Sequence, residues 1–114
     1  MYNDKKGGGH MILHYSNRKL EKILSDNRQI KKNYPREYQK IVNRLSELNV
    51  ANNLSEIPNV PPPRRHKLYG DKIGCWGIDF SKNYRIILRP VNDFDLNDLK
   101  TITEVEIVDL EDYH

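Results

Sequence analysis

The chain ends on three side chains that can take part in acid–base chemistry, namely Asp112, Tyr113 and His114. A carboxylate, a phenol and an imidazole are groups with which enzymes accept, donate and orient protons. His66 adds a second imidazole, which exchanges protons close to neutral pH. Terminal residues usually fray. The triplet therefore either trails into solvent or is held in a site by the strand that precedes it.

The second feature is a set of cationic side chains. They lie in the part of the sequence where apolar residues recur at every second position, as in a β-strand. Tyr84, Ile86 and Leu88 alternate and predict the core face of one strand. Arg85 and Arg89 then lie on its other face, about 13 Å apart. A strand face of this kind predicts a phosphate-binding surface. We assign to it, beside Arg85 and His66, the residues Arg64, Arg65, Lys67, Lys72, Lys82 and Arg89.

The net charge of +3 hides an asymmetry along the chain. Residues 1–90 hold 18 Lys or Arg and 8 Asp or Glu, whereas residues 91–114 hold 1 and 8. A basic body indicates a polyanionic partner. We interpret the lysines of the predicted helices as residues that keep one face of each helix in contact with water. For Lys72 and Lys82 taken alone, protection of a sheet edge against aggregation is preferred.

Several classes of protein are disfavoured by the sequence. It contains no run of 18 apolar residues and no secretory signal, so we expect no membrane association. The four histidines are scattered and no metal-binding motif is present, so we expect neither a metal nor a cofactor. The single cysteine, Cys75, allows no internal disulfide and is interpreted as structural. These features fit a cytoplasmic protein.

The organisation predicted is one domain over residues 11–114. Residues 1–10 read as a polar, glycine-rich leader foreign to the natural chain, which we expect to start at Met11. Ile12–Tyr15 is predicted to form a strand, and Ser16 or Asn17 to cap a helix. Asp26 can cap a restart of that helix.

Pro35 suits the first turn of a further helix. Its predicted apolar face holds Tyr38, Ile41, Val42, Leu45 and Leu48, while Lys40, Arg44 and Glu47 lie on other faces. The proline-rich stretch that follows is interpreted as a stiff connector, although Pro58–Pro61 also matches a polyproline ligand.

Four strands complete the chain, and one of them places Trp76, Ile78 and Phe80 on a single face. The predicted fold class is α+β, with an N-terminal strand and two helices packed on a twisted antiparallel β-sheet.

Four short motifs and their order resemble the RelE superfamily of toxin–antitoxin toxins, and in particular its HigB branch. The motifs are H-x-L-x-G-D at His66–Asp71, G-x-W at Gly74–Trp76, N-Y-R at Asn83–Arg85 and the closing D-Y-H. Together with the segment LSEIP at Leu54–Pro58, the resemblance spans about residues 11–114. It implies a small RelE-like fold.

The resemblance also implies an activity, that of a metal-free, ribosome-dependent mRNA endonuclease that inhibits translation and arrests growth. In such enzymes the RNA 2′-OH attacks the adjacent phosphate. The positions that match the family's catalytic residues are His66, Arg85, Asp112, Tyr113 and His114. Arg85 would stabilise the charge of the transition state, and either histidine would serve as base or acid. Tyr113 would stack on or position a base, and Asp112 would orient a neighbour.

The partners implied are the ribosome, mRNA and a cognate antitoxin, typically a helix-turn-helix DNA-binding protein. The acidic segment Asp93–Asp98 would repel RNA, so we expect it away from the site. One departure from the family pattern is Tyr69, where relatives often carry a lysine, and a basic residue common before N-Y-R falls here on Ser81 or Lys82.

Two other functions stay open. A gyrase-inhibiting toxin of the ParE branch would share the fold but would have no need of His66 and D-Y-H together. A catalytically weak toxin module would act mainly through its antitoxin, and Tyr69 in place of lysine favours it.

Overall fold

The structure is a computed structural model that describes residues 10–112. Within that range the chain forms three α-helices and five β-strands. In chain order they are β1 (Ile12–Tyr15), α1 (Arg18–Leu24), α2 (Asn27–Asn33), α3 (Tyr38–Val50), β2 (His66–Lys67), β3 (Trp76–Asp79), β4 (Tyr84–Pro90) and β5 (Glu104–Asp112).

Side-chain caps divide the helical half. The Asn17 side chain accepts a hydrogen bond from the Leu20 amide and begins α1, and the Asp26 carboxylate accepts one from the Arg28 amide and begins α2. The predicted restart at Asp26 is therefore confirmed, and three helices form where two were expected. The third helix begins at Tyr38, because Pro35 and the two residues after it form a turn.

The five strands form one mixed sheet in the order β1-β5-β4-β3-β2. The four C-terminal strands pair antiparallel, as predicted. The first strand pairs parallel with the last, with Ile12 opposite Glu104, so the expectation of a purely antiparallel sheet was wrong in this respect. The α+β fold class is confirmed. β4 is the central strand, which places Arg85 in the middle of the sheet.

One face of the sheet and the helices enclose the main core. Ile41 and Leu48 of α3 are fully buried, as are Ile78 of β3 and Ile86 of β4. The predicted inward faces of β3 and β4 are confirmed, since their apolar side chains all belong to this core or pack on it. Burying each large side chain contributes about 1.5–3 kcal/mol of transfer free energy.

Arg44 of α3 is an exception to the predicted helix pattern. It was expected on a solvated face, but only 7% of its surface is exposed. Its guanidinium donates to the Glu47 carboxylate at 2.8 Å and to the Asp79 carbonyl oxygen at 3.5 Å. A buried charge needs such partners. The helical spacing alone does not reveal an acceptor on a distant strand.

The outward face of the sheet carries a second, smaller apolar cluster. It consists of Leu68, Cys75 and Ile87, with Val108 packed against them. Burial raises the pKa of the Cys75 thiol, so the sulfur is held in its protonated, weakly nucleophilic form. A β-bulge opposite Ile87 and Leu88 interrupts the pairing of β4 with β5.

The proline-rich segment between α3 and β2 is tied to the sheet by backbone hydrogen bonds. The Arg65 amide donates to the Pro58 carbonyl, and the Asp79 amide donates to the Pro63 carbonyl. Pro63 is buried, while Pro58, Pro61 and Pro62 are exposed. In the described part of the chain, no helix has the length and apolar character needed to cross a membrane.

Candidate active site

The central feature of the site is the approach of His66 to Arg85. His66 lies on the edge strand β2 and Arg85 on β4, and Nη1 of Arg85 lies 3.5 Å from Nε2 of His66. Gly77 of β3 lies between the two strands, directly opposite His66. Because Gly77 has no Cβ, the imidazole and the arginine side chain can occupy the space above its backbone.

A backbone contact fixes the orientation of the His66 ring. Nδ1 of His66 lies 2.6 Å from the carbonyl oxygen of Arg64. A carbonyl oxygen can only accept a hydrogen bond, so Nδ1 carries a proton and donates it. In the neutral ring Nε2 then has the lone pair. The nitrogen that faces Arg85 is therefore the one that can accept a proton from a substrate.

The Arg64 carbonyl is held in place by an ion pair. Arg64 has a φ of 45°, in the left-handed region. Its Nε donates to Oδ2 of Asp79 at 2.6 Å and its Nη2 lies 3.4 Å from Oδ1. Because Asp79 is also contacted by buried Arg44, a chain of polar contacts runs from α3 to His66. The guanidinium of Arg64, predicted to bind RNA, is bound to Asp79.

Glu111 of β5 is a residue of this site that sequence reasoning missed. Its Oε1 lies 2.7 Å from both Nε and Nη2 of Arg85, and its Oε2 lies 3.7 Å from the ammonium of Lys72. One carboxylate thus joins the predicted catalytic arginine to one predicted RNA-binding lysine. Arg85 and Glu111 are direct partners in the β4–β5 register.

The β-bulge explains why alternation did not reveal Glu111. Val105 and Ile107 are buried in the core, so strict alternation would place Glu111 on the core face as well. The bulge shifts the alternation by one residue, so that Leu110 packs on the core and Glu111 faces outward beside Arg85.

The same shift places Asp112 on the helix side of the sheet. Asp112 lies opposite Tyr84, away from the His66–Arg85 pair. Its carboxylate accepts a hydrogen bond from the Tyr84 hydroxyl and is the main cause that raises the pKa of Tyr84. Tyr113 and His114 lie outside the described residues, so their predicted roles stay predictions.

The remaining predicted RNA-binding residues are not gathered at one point. Arg65 donates to the Ile57 carbonyl at 2.9 Å and lies over the Trp76 ring, and burial lowers its pKa. Lys67 also lies over Trp76, with 5.8 Å between its ammonium and the ring centre. Arg89 pairs with Glu106. Lys82 is exposed in the turn before β4.

The excess positive charge of the protein lies outside the part of the chain that contains the predicted RNA-binding residues. Residues 64–112 hold 8 Lys or Arg and 10 Asp or Glu, a net charge of −2. Residues 18–40, which form the first two helices and the start of α3, hold 8 Lys or Arg and 3 Asp or Glu, a net charge of +5. All eight of these cations are exposed. Positive charge is therefore concentrated on the helical layer, residues 18–40, rather than in residues 64–112, which contain β2 to β5.

No protein-family model and no curated protein sequence matches this chain. Among solved structures, the chain is similar to a YoeB/ParE toxin from Agrobacterium tumefaciens. The two share 14% sequence identity and a TM-score of 0.55, over 91% of this chain and 100% of that one. This chain has a YoeB/ParE toxin fold. A YoeB-YefM complex from Staphylococcus aureus is also similar, with 16% identity over 92% of this chain and 98% of that one, and a TM-score of 0.48.

Within this YoeB/ParE fold, His66, Arg85 and Glu111 are contributed by three different strands. Among the described residues, no group of three or more His, Cys, Asp or Glu side chains could hold a metal ion. The arrangement offers an imidazole nitrogen that can accept a proton, a permanent cation beside it, and a carboxylate that holds the cation. Such a set suits a reaction in which negative charge develops on phosphate oxygens.

Proposed function

We propose that this protein is a type II toxin of the RelE/ParE superfamily, similar in its motifs to the HigB branch, and a ribosome-dependent mRNA endonuclease. The observation that carries the proposal is the His66–Arg85 pair, 3.5 Å apart on the outward face of a YoeB/ParE fold. The motif resemblance gives both residues catalytic roles, and the geometry brings them together from separate strands. Cleavage of mRNA would stop translation and arrest growth.

In the proposed reaction Nε2 of His66 accepts the proton of the RNA 2′-OH. The oxygen attacks the adjacent phosphate, the 5′-oxygen leaves, and a 2′,3′-cyclic phosphate forms. Arg85 binds the phosphate oxygens as their charge grows, since a guanidinium stays protonated. His114 is the proposed acid that protonates the leaving oxygen, and Tyr113 the proposed platform for a base. Asp112 is proposed to fix the strand end through Tyr84.

The family lysine that Tyr69 replaces needs a substitute in this proposal. Lys67 lies over Trp76 and Lys82 lies in a turn, whereas Lys72 shares Glu111 with Arg85. Lys72 is therefore the cation best placed to supplement Arg85. Glu111 reduces the positive field at the site, which also fits the alternative of a catalytically weak module.

The proposed partners are the ribosome, its bound mRNA and a cognate antitoxin, all in the cytoplasm. The net charge of +5 over residues 18–40 supports an RNA-rich partner, because exposed cations bind phosphate by releasing counterions. The antitoxin is proposed to be a helix-turn-helix protein encoded beside the toxin.

The decisive experiment is induction of the whole chain in a bacterial host, with mapping of mRNA 5′ ends. Wild type is compared with Arg85→Ala, His66→Gln and a deletion of His114. Lys100→Ala, at an exposed position outside the predicted RNA-binding set, serves as the matched control. We expect in-frame cleavage of translated messages by wild type and control, and its loss in the three site variants.

Other outcomes of this experiment would favour other functions. Growth arrest with intact mRNA and trapped gyrase–DNA complexes would overturn the proposal in favour of a gyrase inhibitor. Absence of both arrest and cleavage in wild type would favour the weak module.

A further inference from the structure

Two adjoining cavities lie in the helical layer, away from the His66–Arg85 pair. The larger one, of about 490 Å³, lies between α1 and α2. The smaller one, of about 190 Å³, lies where α1 and the residue after α2 meet β5. The cavities share two lining residues, Lys19 and Ile23, and together we name them the α1–α2 cleft. The larger cavity has the size of sites that bind small organic ligands.

One end of the α1–α2 cleft carries positive charge. Arg18, Lys19 and Lys22 line the larger cavity, together with the side-chain amides of Gln29 and Asn33. Within the described part of the chain, no carboxylate lines this cavity and none of the three cations forms an ion pair. Cations and amide N–H groups on one wall are the donors that bind adjacent phosphate groups.

The carboxylates that are near in sequence to these cations have other neighbours. Glu21 lies near Tyr15 of β1, whose pKa is raised by burial and by that carboxylate. Asp26 accepts from the Arg28 amide and lies 3.8 Å from the Arg28 guanidinium. Neither carboxylate lines the larger cavity. A phosphate group that enters the cavity therefore meets a positive field.

The other end of the α1–α2 cleft has an apolar wall and one carboxylate. Leu20, Ile23 and the ring of Tyr34 line the smaller cavity, as does Asp109 of β5. Burial and the Asp109 carboxylate raise the pKa of Tyr34, which indicates that the phenol lies near that carboxylate. A planar base can stack on an aromatic ring while a polar group binds its edge. This end therefore suits a nucleobase.

We propose that the α1–α2 cleft binds a free guanine nucleotide, with its phosphates at the cationic end and its base beside Tyr34 and Asp109. Guanine presents two neighbouring N–H donors, N1–H and the 2-amino group, and a carboxylate accepts from both. Adenine and cytosine present an acceptor nitrogen beside their amino group, and a carboxylate repels it. Oδ1 of Asp109 also accepts from the Leu110 amide at 2.9 Å, which leaves acceptor capacity for a base.

The clustering of the three cations favours a free nucleotide over a guanosine within RNA. In a nucleoside diphosphate both phosphates extend from one end of the ribose and can reach the cations together. An RNA chain carries one phosphate for each nucleotide, so its charge is spread along the backbone. The cleft is separate from the His66–Arg85 pair, and the proposal does not depend on the proposed function.

Isothermal titration calorimetry of the whole chain with GDP tests the proposal. We expect saturable binding of GDP. ADP has the same phosphates and a different base, so it should bind at least about tenfold more weakly. GMP has the same base and one phosphate fewer, and should also bind at least about tenfold more weakly. Two short RNAs that differ only in an internal guanosine or adenosine should compete with GDP to the same extent.

Asp109→Asn gives a result that a loss of folding cannot imitate. An asparagine amide donates where one carboxylate oxygen accepted, and this matches xanthine, which has a carbonyl oxygen in place of the 2-amino group of guanine. We expect this variant to bind GDP at least about tenfold more weakly, and xanthosine diphosphate more tightly than wild type does.

A second pair of variants tests the cationic end. Arg18→Ala with Lys22→Ala is expected to weaken GDP binding at least about tenfold. The matched control is Lys40→Ala with Lys100→Ala, which removes the same charge at exposed positions that line neither cavity. The control should leave GDP binding little changed.

Five results would overturn the proposal. They are absence of saturable GDP binding, equal binding of GDP and ADP, no gain of xanthosine diphosphate binding in Asp109→Asn, equal losses in the cation variant and its control, and stronger competition by the guanosine-containing RNA. The last would make RNA the ligand of the cleft. None of these measurements involves mRNA cleavage, so failure of the nucleotide site and failure of the proposed function are separate outcomes.

Discussion

Gly77 lies directly opposite His66 in the β2–β3 pairing, and a Cβ at Gly77 would lie only 3.1 Å from Cε1 of His66. The same atom would lie 3.2 Å from Nε2 of His66 and 3.2 Å from Cδ of Arg85. The imidazole and the guanidinium can approach each other because this position has no side chain. Gly77 is thus a determinant of the site although it has no reactive group.

Gly77→Ala is therefore expected to impair cleavage more than folding. The new methyl group would push the His66 ring by a few tenths of an ångström. Since a misplacement of about 1 Å can cost about 100-fold, we expect this smaller shift to lower kcat by about tenfold. The free energy of unfolding should change by less than about 1 kcal/mol, since alanine is also intrinsically better than glycine in a strand. Cleavage kinetics on programmed ribosomes and urea unfolding measure both quantities. Unchanged kcat would contradict the spatial role of Gly77.

Substitutions of Glu111 should separate its charge from its positioning role. Glu111→Gln keeps an oxygen that can accept from Arg85 but removes the negative charge that competes with phosphate. We expect KM for mRNA to fall by about threefold or more, with kcat little changed. Glu111→Ala removes the contact itself, so kcat should fall about tenfold because the guanidinium is less well oriented. A fall of kcat in Glu111→Gln as large as in Glu111→Ala would exclude this division.

Asp79→Asn should weaken the link between the core and the site. Asp79 is 9% exposed and binds Arg64, whose carbonyl holds His66. Loss of its charge should lower the free energy of unfolding by about 1–3 kcal/mol. The imidazole resonances of His66 should also shift in NMR spectra. Asp71→Asn is the control, because 91% of that side chain is exposed. Equal effects of the two substitutions would be evidence against the link.

The Asp112–Tyr84 contact predicts that the stability of the protein depends on pH in the alkaline range. Asp112 raises the pKa of Tyr84 in the folded protein above the ordinary value of 10.0. The folded state then holds this proton more tightly than the unfolded state. The contribution of Tyr84 to stability is therefore constant below about pH 10 and is lost as pH rises through the raised pKa. Asp112→Asn should lower the pKa of Tyr84 toward its ordinary value. The pKa of Tyr84 is measured by titrating tyrosinate absorbance, and the Tyr84→Phe variant identifies which signal belongs to Tyr84. A rise of the pKa would contradict the assignment.

Charge reversal on the helical layer should weaken binding to RNA. Lys22 and Lys31 are exposed on α1 and α2, where the net charge is positive. Lys22→Glu with Lys31→Glu should reduce RNA affinity and lower the slope of log K against log salt by about 0.7 for each phosphate that the protein no longer neutralises. Lys100→Glu, compared with Lys22→Glu alone, makes the same change of net charge outside that layer. If this control weakens binding as much, net charge rather than location determines affinity.

Local sequence signals were sufficient to predict where helices begin and which faces of the strands are buried. Asn17 and Asp26 cap helices as expected, and the alternation that includes Trp76 and Ile86 correctly identified the core face. These signals could be interpreted because caps and periodicity act over a few residues. Arg44 was misjudged since its burial depends on Asp79, 35 residues away.

The site could be predicted only in part. His66 and Arg85 were identified from their chemistry and motifs, and the structure brings them together. Glu111 was missed and Asp112 lies on the other face because a bulge shifts the alternation of β5. Bulges depend on pairing with a neighbouring strand, and no residue in the sequence marked this one.

The place of β5 in the sheet also bears on the order in which the protein can assemble during its own synthesis. Of the strands in residues 10–112, β5 is the last to be synthesised, yet it lies between β1 and β4 and joins β1 to the rest of the sheet. A nascent chain without residues 104–112 leaves β1 and β4 without their shared neighbour, and leaves Arg85 without Glu111. The long-range pairing of β1 with β5 is thus a late step of folding. The sheet, and with it the arrangement of Arg85, is therefore completed only after residues 104–112 have been synthesised.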